Sequence, residues 1–183
     1  MKSQYRQYTS KQFDHLAPYF DLLSAIFEGL FIKQWRNRLW QRVEGHHILE
    51  VGVGTGKNFD YYPGYARVTG IDFSKNMLLQ AERHRLRSNT CVELVQMDIQ
   101  EGLRFADNSF DTVIATFVLW AVPHPTRALQ ELRRVCRPGG QVLLLELASQ
   151  RHLHAVERCV RGCGYTHVRN EGKGLIRLWE ASK

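Results

Sequence analysis

Three glycines on alternate positions, Gly52, Gly54 and Gly56 in ILEVGVGTGKNF, follow directly on a short apolar run. A loop of this kind, between a strand and a helix, offers backbone N–H groups and the positive end of a helix dipole. Glycine also removes the side chains that would block close approach. In nucleoside sites an acidic residue about 20 positions after the first glycine, at the end of the second strand, binds the ribose hydroxyls. Asp72 in VTGIDFS holds that place. Asp98, at the end of VELVQMD, supplies a further carboxylate that can accept a hydrogen bond from an adenine amino group. Dinucleotides take the spacing GxGxxG. The spacing here is GxGxG, which leans toward S-adenosyl-L-methionine, a ligand without phosphate.

The elements that must hold these residues can be read from periodicity. HILEVGV, ARVTGID, CVELVQMD, FDTVIATFV and GQVLLLELA are apolar runs of strand length, and they alternate with the helical stretches SKNMLLQAERHRLRS and PTRALQELRRVCR. Alternation of this kind predicts βαβ units and a parallel sheet. Pro125 near one helix start and Pro138-Gly139-Gly140 at its end predict a helix through Arg137. A last helix over SQRHLHAVERCVRGCGY, closed by Gly162 or Gly164, precedes THVRN and LIRLWEA, which flank the turn EGKG as an antiparallel hairpin. The expected fold is α/β: a doubly wound sheet of seven strands, mostly parallel, with a C-terminal antiparallel hairpin and an N-terminal helical extension.

With 183 residues the chain fits one domain, divided here into a helical segment, 1–44, and a core, 45–183. An N-terminus without the apolar core of a secretory signal, and the lack of a long uncharged apolar stretch, predict a cytoplasmic protein. Cys159 and Cys163 lie at helical i, i+4 spacing rather than CxxC, and Cys91 and Cys136 stand apart, so reduced structural cysteines are expected. His46, His47, His152 and His154 show no HExxH or Cys/His ligand spacing, and no metal site is predicted. The net charge of +7 favours acidic partners, either anionic lipid or nucleic acid.

Through LEVGVGTGKN, VTGIDFSKNML, VQMDIQEGLRFADNSFDTVIATFVL and ALQELRRVCRPGGQVLLLE the chain resembles the class I S-adenosylmethionine-dependent methyltransferases, whose fold is Rossmann-like. Within them it is similar to the ubiquinone/menaquinone C-methyltransferases and the bacterial phospholipid N-methyltransferases, through FDHLAPYFD and Trp35-Arg36. The resemblance implies that Glu50, Gly52, Gly54 and Gly56 surround the methionine moiety. It further implies that Asp72 holds the ribose, Asp98 and Ile99 contact adenine, and Phe73 and Met77 pack the ring. Thr116 and Phe117 would border the sulfonium and the acceptor. Two departures stand out: Phe13 and Phe20 replace tyrosines of the amino-terminal pattern, and only ASQRH stands where relatives insert a substrate-covering segment.

The sulfonium methyl is already activated, so transfer needs chiefly a nucleophile held in line. Candidate bases are His124, just after the fourth strand, and Tyr19 or His15. The aromatic segment ahead of the core packs on the sheet, or rests on an anionic membrane surface through residues 20–42 with Lys33, Arg36, Arg38 and Arg42 toward headgroups. The expected acceptor is a small molecule or lipid, with a phospholipid amine or quinone precursor favoured. A nucleic-acid acceptor rests on Arg133, Arg134, Arg137, Arg151, Arg158 and Arg161 and lacks interleaved aromatic residues. A catalytically silent binder of the same fold is the third reading.

Overall fold

The apolar runs line up side by side in one sheet whose strand order is β3-β2-β1-β4-β5-β7-β6. The computed structural model describes residues 31–147, 150–173 and 176–183. The strands are β1 (His47–Val51), β2 (Arg67–Asp72), β3 (Cys91–Gln96), β4 (Phe110–Thr116), β5 (Cys136–Leu147), β6 (Thr166–Lys173) and β7 (Ile176–Ser182). The helices are α1 (Phe31–Trp40), α2 (Lys75–Arg85), α3 (Pro125–Val135) and α4 (Gln150–Gly162). The first five strands run parallel, and β7 enters antiparallel between β5 and β6.

Alternation along the strands fills both faces. On β5, Val142 and Leu144 join a cluster with Ala128, Leu129, Leu132 and Val135 of α3. Leu143 and Leu145 point the other way, into a cluster with Trp35, Leu39 and Trp40 of α1. Successive strand side chains face opposite ways, so a continuous apolar run is what a strand covered on both faces requires. The aromatic side of α1 is therefore core packing in the described part of the helix.

Several boundaries differ from the sequence expectation. Helix α3 ends at Val135, two residues early, because Cys136 already pairs with Phe110 of β4. The Pro138-Gly139-Gly140 stretch lies inside the β5 segment as an irregularity, with Gly139 at φ +72, before regular pairing resumes at Gln141 opposite Thr112. The terminal hairpin is longer than THVRN and its turn shorter than EGKG, since Gly172 and Lys173 still pair with Arg177 and Ile176. β1 stops at Val51, before the glycine loop.

Trp179 of β7 is fully buried and packs in the α3 cluster, which fastens the hairpin to the parallel sheet. Trp179→Ala is expected to destabilise the fold by about 3–5 kcal/mol, read as a lower urea midpoint. An unchanged midpoint would mean the hairpin contributes no core.

Candidate functional site

β1 leads outward to β2 and β3, whereas β4 leads the other way to β5, so the carboxyl ends of β1 and β4 flank the switch point where ligands bind in such sheets. A cleft opens there. The glycine loop forms one wall, Asp72, Phe73 and Met77 a second, Met97, Asp98 and Ile99 a third, and Thr116, Phe117 and Val118 the last. Every cofactor-binding candidate except Gly56 lines this cleft.

Glycine is required in the loop for two different reasons. At Gly56, φ is +86 and a Cβ would stand 2.7 Å from the Phe59 ring. At Gly54, φ is +56 and a Cβ would meet nothing within 4 Å, so backbone is exposed to open space. That bare backbone is held by Asp72. Its two carboxylate oxygens accept from Gly54 N and from Ser74 N, each at 2.9 Å. Ser74 then caps α2 by accepting from Met77 N at 3.2 Å. Asp98 caps the short 3-10 helix Ile99–Glu101, accepting from Gln100 N at 2.9 Å.

Beneath the loop lies a buried polar network. Glu50, at the end of β1, accepts from Asn58 Nδ2 and from the Tyr62 hydroxyl. The Asn58 amide also donates to Thr116 Oγ1 at 3.2 Å, and its carbonyl accepts from Arg36 Nη1 at 2.6 Å. Arg36 is 8% exposed, and its guanidinium lies 5.6 Å from the centre of the Phe117 ring. Phe117 itself has φ +58 and donates its N–H to Leu145 O at 2.7 Å. A non-glycine residue in this region costs of order 1–3 kcal/mol and marks a position determined by its surroundings.

A second buried carboxylate, Glu146 near the end of β5, accepts from Val118 N at 2.9 Å and Leu119 N at 2.8 Å. It fixes the turn that carries Trp120, which lines the cleft and is 60% exposed.

The base candidates are placed differently. His124 is exposed, exchanges hydrogen bonds with the Gln100 side chain through its backbone, and is not among the residues lining the cleft. Tyr19 and His15 lie outside the described residues, as does the Phe13–Phe20 pattern. Of the cations expected to face a membrane, Arg36 is buried toward the cleft and Arg42 pairs with Glu171 at 2.9 Å, while Lys33 and Arg38 are exposed. Arg134, Arg137 and Arg161 pair with Asp107, Asp111 and Glu157 within the fold. Among the described residues no cluster of His, Cys, Asp and Glu could hold a metal ion, and no helix is long and apolar enough to cross a membrane.

Sequence reasoning missed Asn58, Tyr62 and Glu146 as parts of the site and took Arg36 for a surface cation. Asn58 and Tyr62 follow the glycines closely in sequence, and a buried acid at a strand end is a signal that Glu146 shares with Glu50.

Residues 49–144 match the methyltransferase domain family. The chain belongs to that family. Over 103 residues it is 46% identical to a phosphatidylethanolamine N-methyltransferase of Cereibacter sphaeroides, covering 55% of this chain and 50% of that one. A demethylmenaquinone methyltransferase of Staphylococcus aureus is 36% identical over 151 residues, 77% of this chain and 61% of its own. The chain thus spans between half and two thirds of the length of these relatives. The solved structure of a SAM-dependent methyltransferase from Aquifex aeolicus shares the fold, with TM-score 0.64 and 20% identity over 76% of this chain and 82% of that one.

Burial pushes both Glu50 and Glu146 up from an ordinary 4.5 to about 7, against the lowering effect of their hydrogen bonds. In the folded state each carboxyl therefore holds its proton to higher pH than in the unfolded chain. Stability follows the difference in bound protons. It is greatest below the unfolded value and declines as pH rises from about 4.5 to about 7. Urea midpoints are expected to fall across this window, and Glu146→Gln should flatten the slope. A midpoint rising with pH would show that these carboxyls do not dominate.

Proposed function

We propose that the chain is an S-adenosylmethionine-dependent methyltransferase acting on a small-molecule or lipid-like acceptor, with the amine of a phospholipid headgroup favoured. The observation that carries this reading is the exposed backbone at Gly54, bordered along one cleft by Glu50, Asp72 and Asp98. The residues fit the cofactor. Asp72, whose carboxylate accepts from Gly54 N and Ser74 N at the edge of the cleft, would take the ribose hydroxyls. Asp98 and Ile99 would meet the adenine, Phe73 and Met77 would pack the ring, and the loop at Gly52 and Gly54 would receive the methionine end.

When bound, the cofactor supplies a methyl group already activated by sulfonium charge. The protein's part is positioning, which brings the reacting atoms to about 3 Å and excludes competing geometries. Thr116 and Phe117 border that place, and Asn58 ties Thr116 to Glu50 so that β4 and the loop keep one spacing. An amine must arrive unprotonated. His124 and Tyr19 stay as proposed bases, although the positioning argument requires neither.

The 46% identity to a phosphatidylethanolamine N-methyltransferase supports the headgroup amine. The longer match to demethylmenaquinone methyltransferases supports a quinone precursor as the second reading. Exposed Lys33 and Arg38 on α1 suit an anionic membrane surface, which pelleting with anionic vesicles checks. The intramolecular pairs at Arg134, Arg137 and Arg161 weaken the nucleic-acid reading.

Calorimetry should detect S-adenosylmethionine binding, and S-adenosylhomocysteine release should be greatest for aminophospholipids in a panel with quinone precursors, thiols and small amines. No binding at millimolar cofactor would sink the enzyme reading. Asp72→Ala is expected to weaken cofactor binding by about 1.5–3 kcal/mol, the usual contribution of a charged hydrogen bond. Unchanged affinity would overturn the ribose assignment.

A further inference from the structure

On the far side of the turn that follows β4, a second hollow of about 420 Å³ opens between the start of α3, the end of β5 and α4. That volume falls within the roughly 300–1,000 Å³ of ligand pockets. Leu119, Trp120, Leu129, Leu147 and Cys159 form much of its wall, with Ala155 on the α4 side. Among the described residues no lysine, arginine or histidine lines it. Its one carboxylate, Glu146, is 2% exposed and turned onto the Val118 and Leu119 N–H groups. The surface on offer is therefore hydrocarbon. Trp120 at 60% and Leu147 at 49% are among the large apolar side chains left most exposed, and both border this hollow. Trp120 also lines the cofactor cleft, so its indole is the partition between the two spaces.

We propose that this hollow holds a fatty acyl chain of the methyl acceptor, which runs from the cleft over Trp120 and leaves past Leu147 and Ala155. The proposal rests on the phospholipid-amine reading above and assigns the apolar part of that acceptor to named residues. The hollow meets the cleft at Trp120, and Thr116 and Phe117, which border the place of transfer, line the same cleft. None of the residues proposed for the cofactor lines the hollow, so the two ligands do not compete for it. An ammonium, a phosphate or a hydroxyl finds no partner there, because the only lining carboxylate is already engaged by backbone donors. A hydrocarbon chain needs none. Leu147 and Ala155 are exposed, so a chain longer than the hollow continues outward, as a lipid partly drawn from a bilayer requires. Such a chain covers Trp120 and Leu147, and each methylene it buries favours binding in proportion to the apolar area removed from water.

The test uses monomeric phosphatidylethanolamines with butanoyl, hexanoyl and octanoyl chains, and Ala155→Trp, which fills the hollow from an exposed position. In the parent protein KM should fall with chain length, by up to about fourfold for each methylene that enters the hollow. In Ala155→Trp that dependence should flatten, with kcat retained and S-adenosylhomocysteine bound as tightly as by the parent. If the variant loses S-adenosylhomocysteine binding it has not folded, and Leu147→Asp, which sets a charge at the outer edge of the hollow, takes its place. A second readout needs no turnover. Cys159 borders the hollow and is partly exposed, whereas Cys91 is exposed on β3 at the edge of the sheet. Dioctanoyl phosphatidylethanolamine should slow maleimide labelling of Cys159 severalfold, followed by peptide mass, and leave Cys91 unchanged. Chain-length dependence that survives in the variant, with Cys159 labelled at its original rate, overturns the hollow as the acyl site and leaves the phospholipid-amine reading standing. A KM that ignores chain length in the parent overturns it as well. Turnover of an isoprenoid quinone precursor that protects Cys159, with none of phosphatidylethanolamine, overturns the acyl assignment and the headgroup reading together.

Discussion

The Glu50 carboxyl lies near the end of β1, 1% exposed, where water cannot solvate it. Burying such a group is costly unless its oxygens are met by donors. Asn58 and Tyr62 meet them, and each brings with it a segment that builds the cleft. Asn58 closes the glycine loop and reaches to β4 and α1; Tyr62 packs against Trp40 with ring centroids 4.3 Å apart and planes tilted by 45°, and so helps to seat α1 on the sheet. Loss of the carboxyl would leave the Tyr62 phenol buried without its acceptor and the Asn58 amide with Thr116 alone, and the loop would lose its tie to β1.

The same device recurs along the sheet. Asp72 at the end of β2, Asp98 just beyond β3 and Glu146 near the end of β5 each accept N–H groups from the loops they face. Loops at strand ends carry backbone donors that the sheet does not satisfy, and an acid at the strand end satisfies them without adding another loop. In this fold Asp72 and Asp98 line the cleft, while Glu146 is buried and holds the Val118–Leu119 turn.

Much of this was legible because it is local. The strands announced themselves as apolar runs, and the spacing from Gly52 to Asp72 is set by one crossover between neighbouring parallel strands, although the helix expected after the glycine loop is only the short 3-10 turn Phe59–Tyr61. Arg36 was not legible, because a cation on an amphipathic helix reads as solvated until the partner it meets, Asn58, is known to be adjacent in space. Tyr62 and Glu146 were hidden for the same reason. Their partners, Glu50 and the Val118–Leu119 turn, come from other segments of the chain. The register of Cys136 against Phe110, which ended α3 early, is likewise a pairing that helix periodicity cannot see.

Of the four tryptophans, Trp35, Trp40 and Trp179 are buried and Trp120 alone stands out at the mouth of the cleft. The protein therefore carries its own optical reporter. Emission at the long-wavelength edge arises from one water-exposed indole, held in place by the turn that Glu146 anchors, and three dry indoles supply a fixed background. Occupancy of the cleft and motion of its rim become spectroscopic quantities without any added label.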